Sequence, residues 1–127
     1  GSARVAEALR TPVQTGENMN LRVPGDPASH PVWRDEEAAL MATKRLVGLA
    51  EKYRRRVHVL HISTAAEMDF LESHKEWASV EVTPHHLTLA APECYEKLGT
   101  YAQMNPPVRD ARHRERIWKA VADGVVD

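Results

Sequence analysis

Apolar residues recur at helical spacing from Asp35 to about Tyr53, where Ala38, Ala39, Met41, Ala42, Leu46, Leu49 and Ala50 share a face. Asp35, Glu36 and Glu37 load the start of this stretch with negative charge, and Lys52 with Arg54–Arg56 loads its end with positive charge. That is the sense the helix dipole favours, so the pattern predicts a helix over 35–53. Val57, Val59, Leu60 and Ile62 then read as a buried strand over 57–62. Ser63 and Thr64 suit an N-cap, and Glu67 completes a capping box, which predicts a helix from Thr64 to about Lys75 with Ala66, Met68, Phe70 and Leu71 as its apolar positions. Period-two alternation from Ala78 to Thr83 predicts a second strand, closed by Pro84-His85-His86.

Beyond this, residues 87–104 predict one or two short helical turns around 92–98, and Met104–Arg109 is extended because residues before proline leave the helical region. Asp110 to Asp123 predicts an amphipathic helix, with Ile117, Trp118, Ala120 and Val121 inward and Gly124 just past its end. Val125–Asp127 reads as the opening of a third strand. At the other end, Gly1-Ser2 has the look of a tag remnant, residues 3–12 suit a short helix ended by Pro12, and residues 13–33 read as loop. Helices alternating with strands imply a parallel sheet with right-handed crossovers, and in such folds ligands gather at the carboxyl ends of the strands.

Composition narrows the function classes. A chain of 127 residues, 43% hydrophobic, suits one domain or a piece of one. The net charge of −1 gives no global case for nucleic acid or an anionic membrane. The Arg54–Arg56 cluster reads as a solvated helix end. The single Cys94 excludes an internal disulfide and fits a reducing, cytoplasmic setting. No apolar run approaches the roughly 18 residues that span a bilayer.

Histidines carry most of the candidate chemistry. Of seven, His58, His61, His85 and His86 lie near strand ends. His58 and His61 are three apart, so in a regular strand they face opposite ways. His61 lies nearer the strand end and is the better metal-ligand candidate, with a hydrogen-bonded strand histidine as the alternative. His85 and His86 can both line a site at a strand end, or one of them can be a structural donor fixing the loop. Asn105, before two prolines, can offer an amide to a small polar ligand or serve as a turn residue. Arg109 can bind a carboxylate or pair at the surface with Asp110 or Glu115. Cys94 has no histidine at readable spacing, which argues against a nucleophilic thiol. Trp33, Trp77 and Trp118 read as core or rim packing.

Four segments in order, 58–64 (His-Val-Leu-His-Ile-Ser-Thr), 80–87 (Val-Glu-Val-Thr-Pro-His-His-Leu), 104–109 (Met-Asn-Pro-Pro-Val-Arg) and 123–127 (Asp-Gly-Val-Val-Asp), resemble dihydroorotases of the amidohydrolase superfamily over roughly residues 27–127. The resemblance implies a TIM barrel with a one- or two-zinc site, where a metal-activated hydroxide opens the cyclic amide of dihydroorotate in pyrimidine biosynthesis. It implies that His61 binds zinc and that Asn105 contacts substrate, and it assigns no direct role to Pro84–Leu87. The early His-x-His pair, the mid-barrel metal ligand and the catalytic aspartate of that family have no counterpart in this chain, so no catalytic residue is expected here. A barrel takes about 250 residues. The expectation is therefore a partial (β/α)8 barrel of two to three parallel strands at 27–127, with 1–26 poorly matched.

Three functional readings follow from the resemblance. One is a portion of a zinc-dependent dihydroorotase-type hydrolase, inactive and without zinc as this chain alone. Another is a dihydropyrimidinase- or hydantoinase-like relative. The third is a non-catalytic structural partner of aspartate transcarbamoylase. Open sheet edges imply a homo-oligomer or a covering partner.

Overall fold

The computed structural model describes residues 19–127. The short helix expected at 3–12 and the tag remnant lie outside these residues. Residues 19–33 are not the plain loop expected. Single 3-10 turns occupy Met19–Leu21 and Pro27–Ser29, and a short helix α1 follows at His30–Trp33. Local capping makes the difference: the Asp26 carboxylate accepts from Ala28 N–H at 3.1 Å, and proline stands at the start of each of the two later turns.

Helix α2 spans Glu36–Tyr53, as its charge pattern predicts. Asp35 caps it through Ala38 N–H at 2.9 Å, and Arg54 ends it in the left-handed conformation. Its buried stripe runs through Ala38, Thr43, Val47 and Ala50, whereas Met41 and Ala42 face outward. Thr43 turns in because its hydroxyl donates to the buried Glu67 carboxylate.

Strand β1 (Val57–Val59) pairs in parallel with β2 (Ala78–Val80) in the register Val57↔Ala78, His58↔Ser79, Val59↔Val80. Helix α3 (Ala65–Glu72) makes the crossover. Both strands are shorter than expected. Past Val59 the backbone still bonds across, from Glu81 N–H to Val59 O and from Ile62 N–H to Glu81 O, both at 2.9 Å. A regular parallel ladder would use the N–H of residue 61 for the second bond, so one extra residue is inserted here. The insertion sits at His61, whose φ is +42°. Helix α3 stops before Lys75 because Ser73 Oγ and His74 Nδ1 both donate to the Phe70 carbonyl, at 3.0 and 2.7 Å.

Helices α4 (Pro84–Thr88) and α5 (Glu93–Leu98), a 3-10 turn at Gly99–Ala102 and helix α6 (Ala111–Ala122) follow. Asp110 caps α6 through Arg112 N–H, and Gly124 at φ +77° closes it with Val125 N–H on Ala120 O at 2.9 Å. The inward face of α6 differs from expectation. His113, Ile117 and Ala120 are buried, while Trp118 is 51% exposed with its indole N–H on Leu87 O at 2.7 Å. Val121 also faces outward, because the buried stripe passes through 113, 117 and 120. No third strand forms at 125–127, although Asp127 N–H donates to Val80 O at 2.9 Å.

The main core joins α2, α3 and α6 to one face of the sheet through Val47, Val59, Ile62, Met68, Leu71 and Ile117. A second cluster of Cys94, Tyr95, Ala102 and Val108 holds the α5 region and the extended segment together. Among the described residues the class is thus α/β, mostly helical, with a two-stranded parallel sheet.

Candidate functional site

The carboxyl ends of β1 and β2 and the extended segment 104–109 meet at one end of the sheet. His61 is exposed there and left-handed, a region that costs a non-glycine residue about 1 kcal/mol or more. The extra residue cancels the strict alternation that set His58 against His61. Next along, Ser63 and Thr64 are fully buried. Thr64 accepts from Glu67 N–H at 3.1 Å as the cap of α3, and its hydroxyl donates to Glu67 at 2.9 Å. The capping box is therefore present in altered form: the Glu67 side chain takes two threonine hydroxyls and holds Thr64 and α2 together.

His86 is the structural histidine. Its Nε2 donates to the Pro106 carbonyl at 3.0 Å, and its Nδ1 lies 2.7 Å from the Thr83 hydroxyl, which donates to it. Burial pushes this imidazole below its usual range, and the positive fields of His61 and Arg109 push the same way. It is neutral, with both nitrogens occupied, and it pins the segment that follows Asn105. His85 beside it is exposed.

Arg109 is not a surface residue. It is 7% exposed, and it donates from Nε to Ser63 Oγ at 3.2 Å and from Nη1 to the Arg34 carbonyl at 2.8 Å. Burial lowers its pKa, and Glu67 pulls the other way. The surface pairing with Asp110 or Glu115 gives way because the stiff Pro106-Pro107 segment directs residue 109 inward, beside buried Pro107 and Val108. Arg34 in turn donates from Nη1 to Asn105 Oδ1 at 2.7 Å. Sequence reasoning missed Arg34, Ser63 and Glu67 as site residues, since each acquires its partner from a distant part of the chain.

Two cavities flank this loop. One of about 390 Å³ is lined by Thr43, His58, His61, Ser63, Glu67 and Pro106. Another of about 620 Å³ is lined by Arg22, His30, Trp33, Arg34 and Asn105, among others. His61 and Asn105 thus sit at the same end, on cavities that Asn105 and Pro106 separate. Among the described residues, no group of three or more His, Cys, Asp or Glu could hold a metal ion. His61 offers one imidazole, where a zinc site needs three or four protein ligands. The described residues alone therefore do not fit a complete metal centre. Cys94 is buried and its thiol is pushed up by burial, as is the Tyr95 phenol, to about 12. Neither is poised as a nucleophile.

No family model matches the chain. Curated relatives do. It is 35% identical over 95 residues to the dihydroorotase of Halobacterium salinarum, covering 75% of this chain and 22% of that protein. It is 35% identical over 97 residues to the allantoinase of Streptomyces avermitilis, covering 74% and 22%. The chain thus spans about a fifth of the length of the curated relatives it matches. Among solved structures, the L-hydantoinase (dihydropyrimidinase) of Arthrobacter aurescens superposes with a TM-score of 0.76 at 21% identity, over 98% of this chain and 27% of that one. The D-hydantoinase of Bacillus sp. AR9 superposes with a TM-score of 0.74 at 26% identity, over 80% and 24%. These relatives show that the chain belongs to the amidohydrolase superfamily, alongside dihydroorotases and allantoinases.

Proposed function

We propose that this chain is part of a metal-dependent cyclic amidohydrolase of the dihydroorotase type, folded as a section of a (β/α)8 barrel with its barrel domain beginning near residue 27. The observation that carries the reading is the 35% identity to a dihydroorotase over 95 residues, with His61 and Asn105 on neighbouring cavities at the same end of the sheet. In this reading His61 gives one zinc ligand and Asn105 a hydrogen bond to substrate. Bound zinc would supply a hydroxide near neutral pH. This chain's own part is to hold the histidine at the rim, fix the amide and anchor the loop between them through His86 and Arg109. The whole reaction is the reversible hydrolysis of dihydroorotate in pyrimidine biosynthesis. The lone buried thiol of Cys94 supports a reducing, cytoplasmic setting.

A second reading, a hydantoinase, dihydropyrimidinase or allantoinase, is favoured by the structural superpositions and by the allantoinase match. One experiment separates the two. The matching segment of the Halobacterium dihydroorotase is replaced by residues 27–127, and the chimera is assayed with zinc on dihydroorotate, allantoin and hydantoin. Dihydroorotate turnover that His61→Ala abolishes supports the first reading, and turnover of only the other rings supports the second. A folded chimera that turns over none of them, while this chain co-purifies with aspartate transcarbamoylase, would favour a non-catalytic assembly role instead. The chain alone, with one zinc ligand, is expected to be inactive.

A further inference from the structure

Arg34 stands between α1 and α2, and its guanidinium meets Asn105 Oδ1 at 2.7 Å. An asparagine amide can usually be placed either way round, because its oxygen and nitrogen differ little in shape. Here the choice is forced. Arginine has five donors and no acceptor, so only the amide oxygen can face it. The NH2 group is then the half of Asn105 left for a ligand, and among the described residues nothing accepts from it.

The arginine is itself held in place. Its guanidinium carbon lies 4.9 Å from the centre of the Trp33 ring, a cation–π contact. Its carbonyl accepts from Arg109, and Arg109 also holds Ser63, two residues past His61. A continuous polar chain therefore runs from the Asn105 amide through Arg34 and Arg109 to the turn that carries His61.

We propose that Arg34 is a positioning residue that presents Asn105 as a hydrogen-bond donor, so the ligand group Asn105 meets is an acceptor oxygen, a carbonyl or a carboxylate. The inference deepens the reading of Asn105 as a ligand contact and rests on it. A ligand offering an N–H at this point would have to turn the amide over. That loses the Arg34 bond and sets the NH2 against a cation that can only donate. Arg34 and Arg109 thereby select for acceptor-bearing ring edges at the Asn105 side of the site.

The test reads the Asn105 side-chain amide by NMR in the 127-residue chain. In the wild-type protein its two NH2 protons should be distinct from those of exposed asparagines, with a nuclear Overhauser contact to the Arg34 guanidinium. Arg34→Met should collapse these signals to exposed values while the backbone spectrum stays dispersed, and Arg34→Lys should restore part of the shift. Unchanged Asn105 amide signals in a folded Arg34→Met chain overturn the proposal. If that variant does not fold, the absence of the Arg34 contact in the wild-type spectrum overturns it equally. Titration with dihydroorotate should move the NH2 signals. Asn105→Asp, which keeps an acceptor for Arg34 and loses the donor, should weaken binding about tenfold, and Arg34→Met should add nothing to it. Dihydroorotate that leaves the NH2 signals unmoved removes Asn105 as a ligand contact, and the amide orientation is then still decided by the first measurement.

Discussion

A histidine in the left-handed region forgoes about 1 kcal/mol that a glycine would keep, and His61 does so at the end of a strand, on a cavity wall. Such a cost persists where the side chain is needed. His61→Gly should therefore hold or raise stability by up to about 1 kcal/mol in urea unfolding, while His61→Val should lower it. Stability that drops in the glycine variant would show that the backbone is not strained. Glu67 makes the opposite case, a buried carboxylate whose worth is structural. Glu67→Ala would leave the Thr43 and Thr64 hydroxyls without their acceptor and Arg109 without its main compensating charge. A loss of about 2–3 kcal/mol is expected by denaturant titration, and less for Glu67→Gln, which keeps an acceptor.

At the scale of elements, α3 receives caps from two directions. Thr64 accepts from Glu67 N–H within the helix, and His113 of α6 accepts on Nδ1 from Ala65 N–H at 2.9 Å while its Nε2 faces Glu36 of α2 at 3.1 Å. The Nδ1 bond requires the neutral ring with its proton on Nε2, and burial together with Arg112 holds the His113 pKa below its ordinary 6.5. The sign follows from proton counting. Below about pH 6.5 the unfolded chain binds a proton that the native chain refuses, so stability falls as the pH drops and recovers as it rises. His30 and His86, lowered mainly by burial, act in the same sense. Thermal unfolding between pH 7 and 5 should show the decline, and His113→Asn should reduce its slope; an unchanged slope would assign the effect elsewhere. Thr64→Ala should cost about 1 kcal/mol at either pH.

For the whole molecule, the two-stranded sheet covers one face with α2, α3 and α6 and leaves the other polar and open, with His58, Ser79 and Glu81 on it and Leu60 52% exposed nearby. Among the described residues β1 pairs only with β2, so its outer edge has no strand partner. A bare edge beside an apolar side chain invites pairing with another chain. The 127-residue chain should therefore self-associate in sedimentation velocity at tens of micromolar, and Leu60→Lys should shift it toward monomer. A monomer at all concentrations would mean that the edge is adequately protected by its own charges. Among the described residues no helix is long and apolar enough to cross a membrane.

The sequence by itself determined the elements whose signals are local. The charge-graded helix Glu36–Tyr53, the Thr64 cap, the strand cores at 57–59 and 78–80 and the Gly124 stop all follow from neighbours within a few positions. The ordered set of short motifs carried the family in the same way, because such motifs survive as strings. What only the tertiary structure decided depends on residues far apart in the chain. The extra residue at His61 exists because β1 must stay in register with β2 while its end turns into α3. The inward faces of α2 and α6 were set by Glu67 and Ala65 seeking partners, against a stripe that apolar spacing placed elsewhere. Arg109 reads as a surface residue until a stiff proline loop brings it to Ser63 and Arg34. Periodicity records which side of an element is apolar; it does not record which buried polar group must find a partner across the fold, and here those partnerships shaped the site.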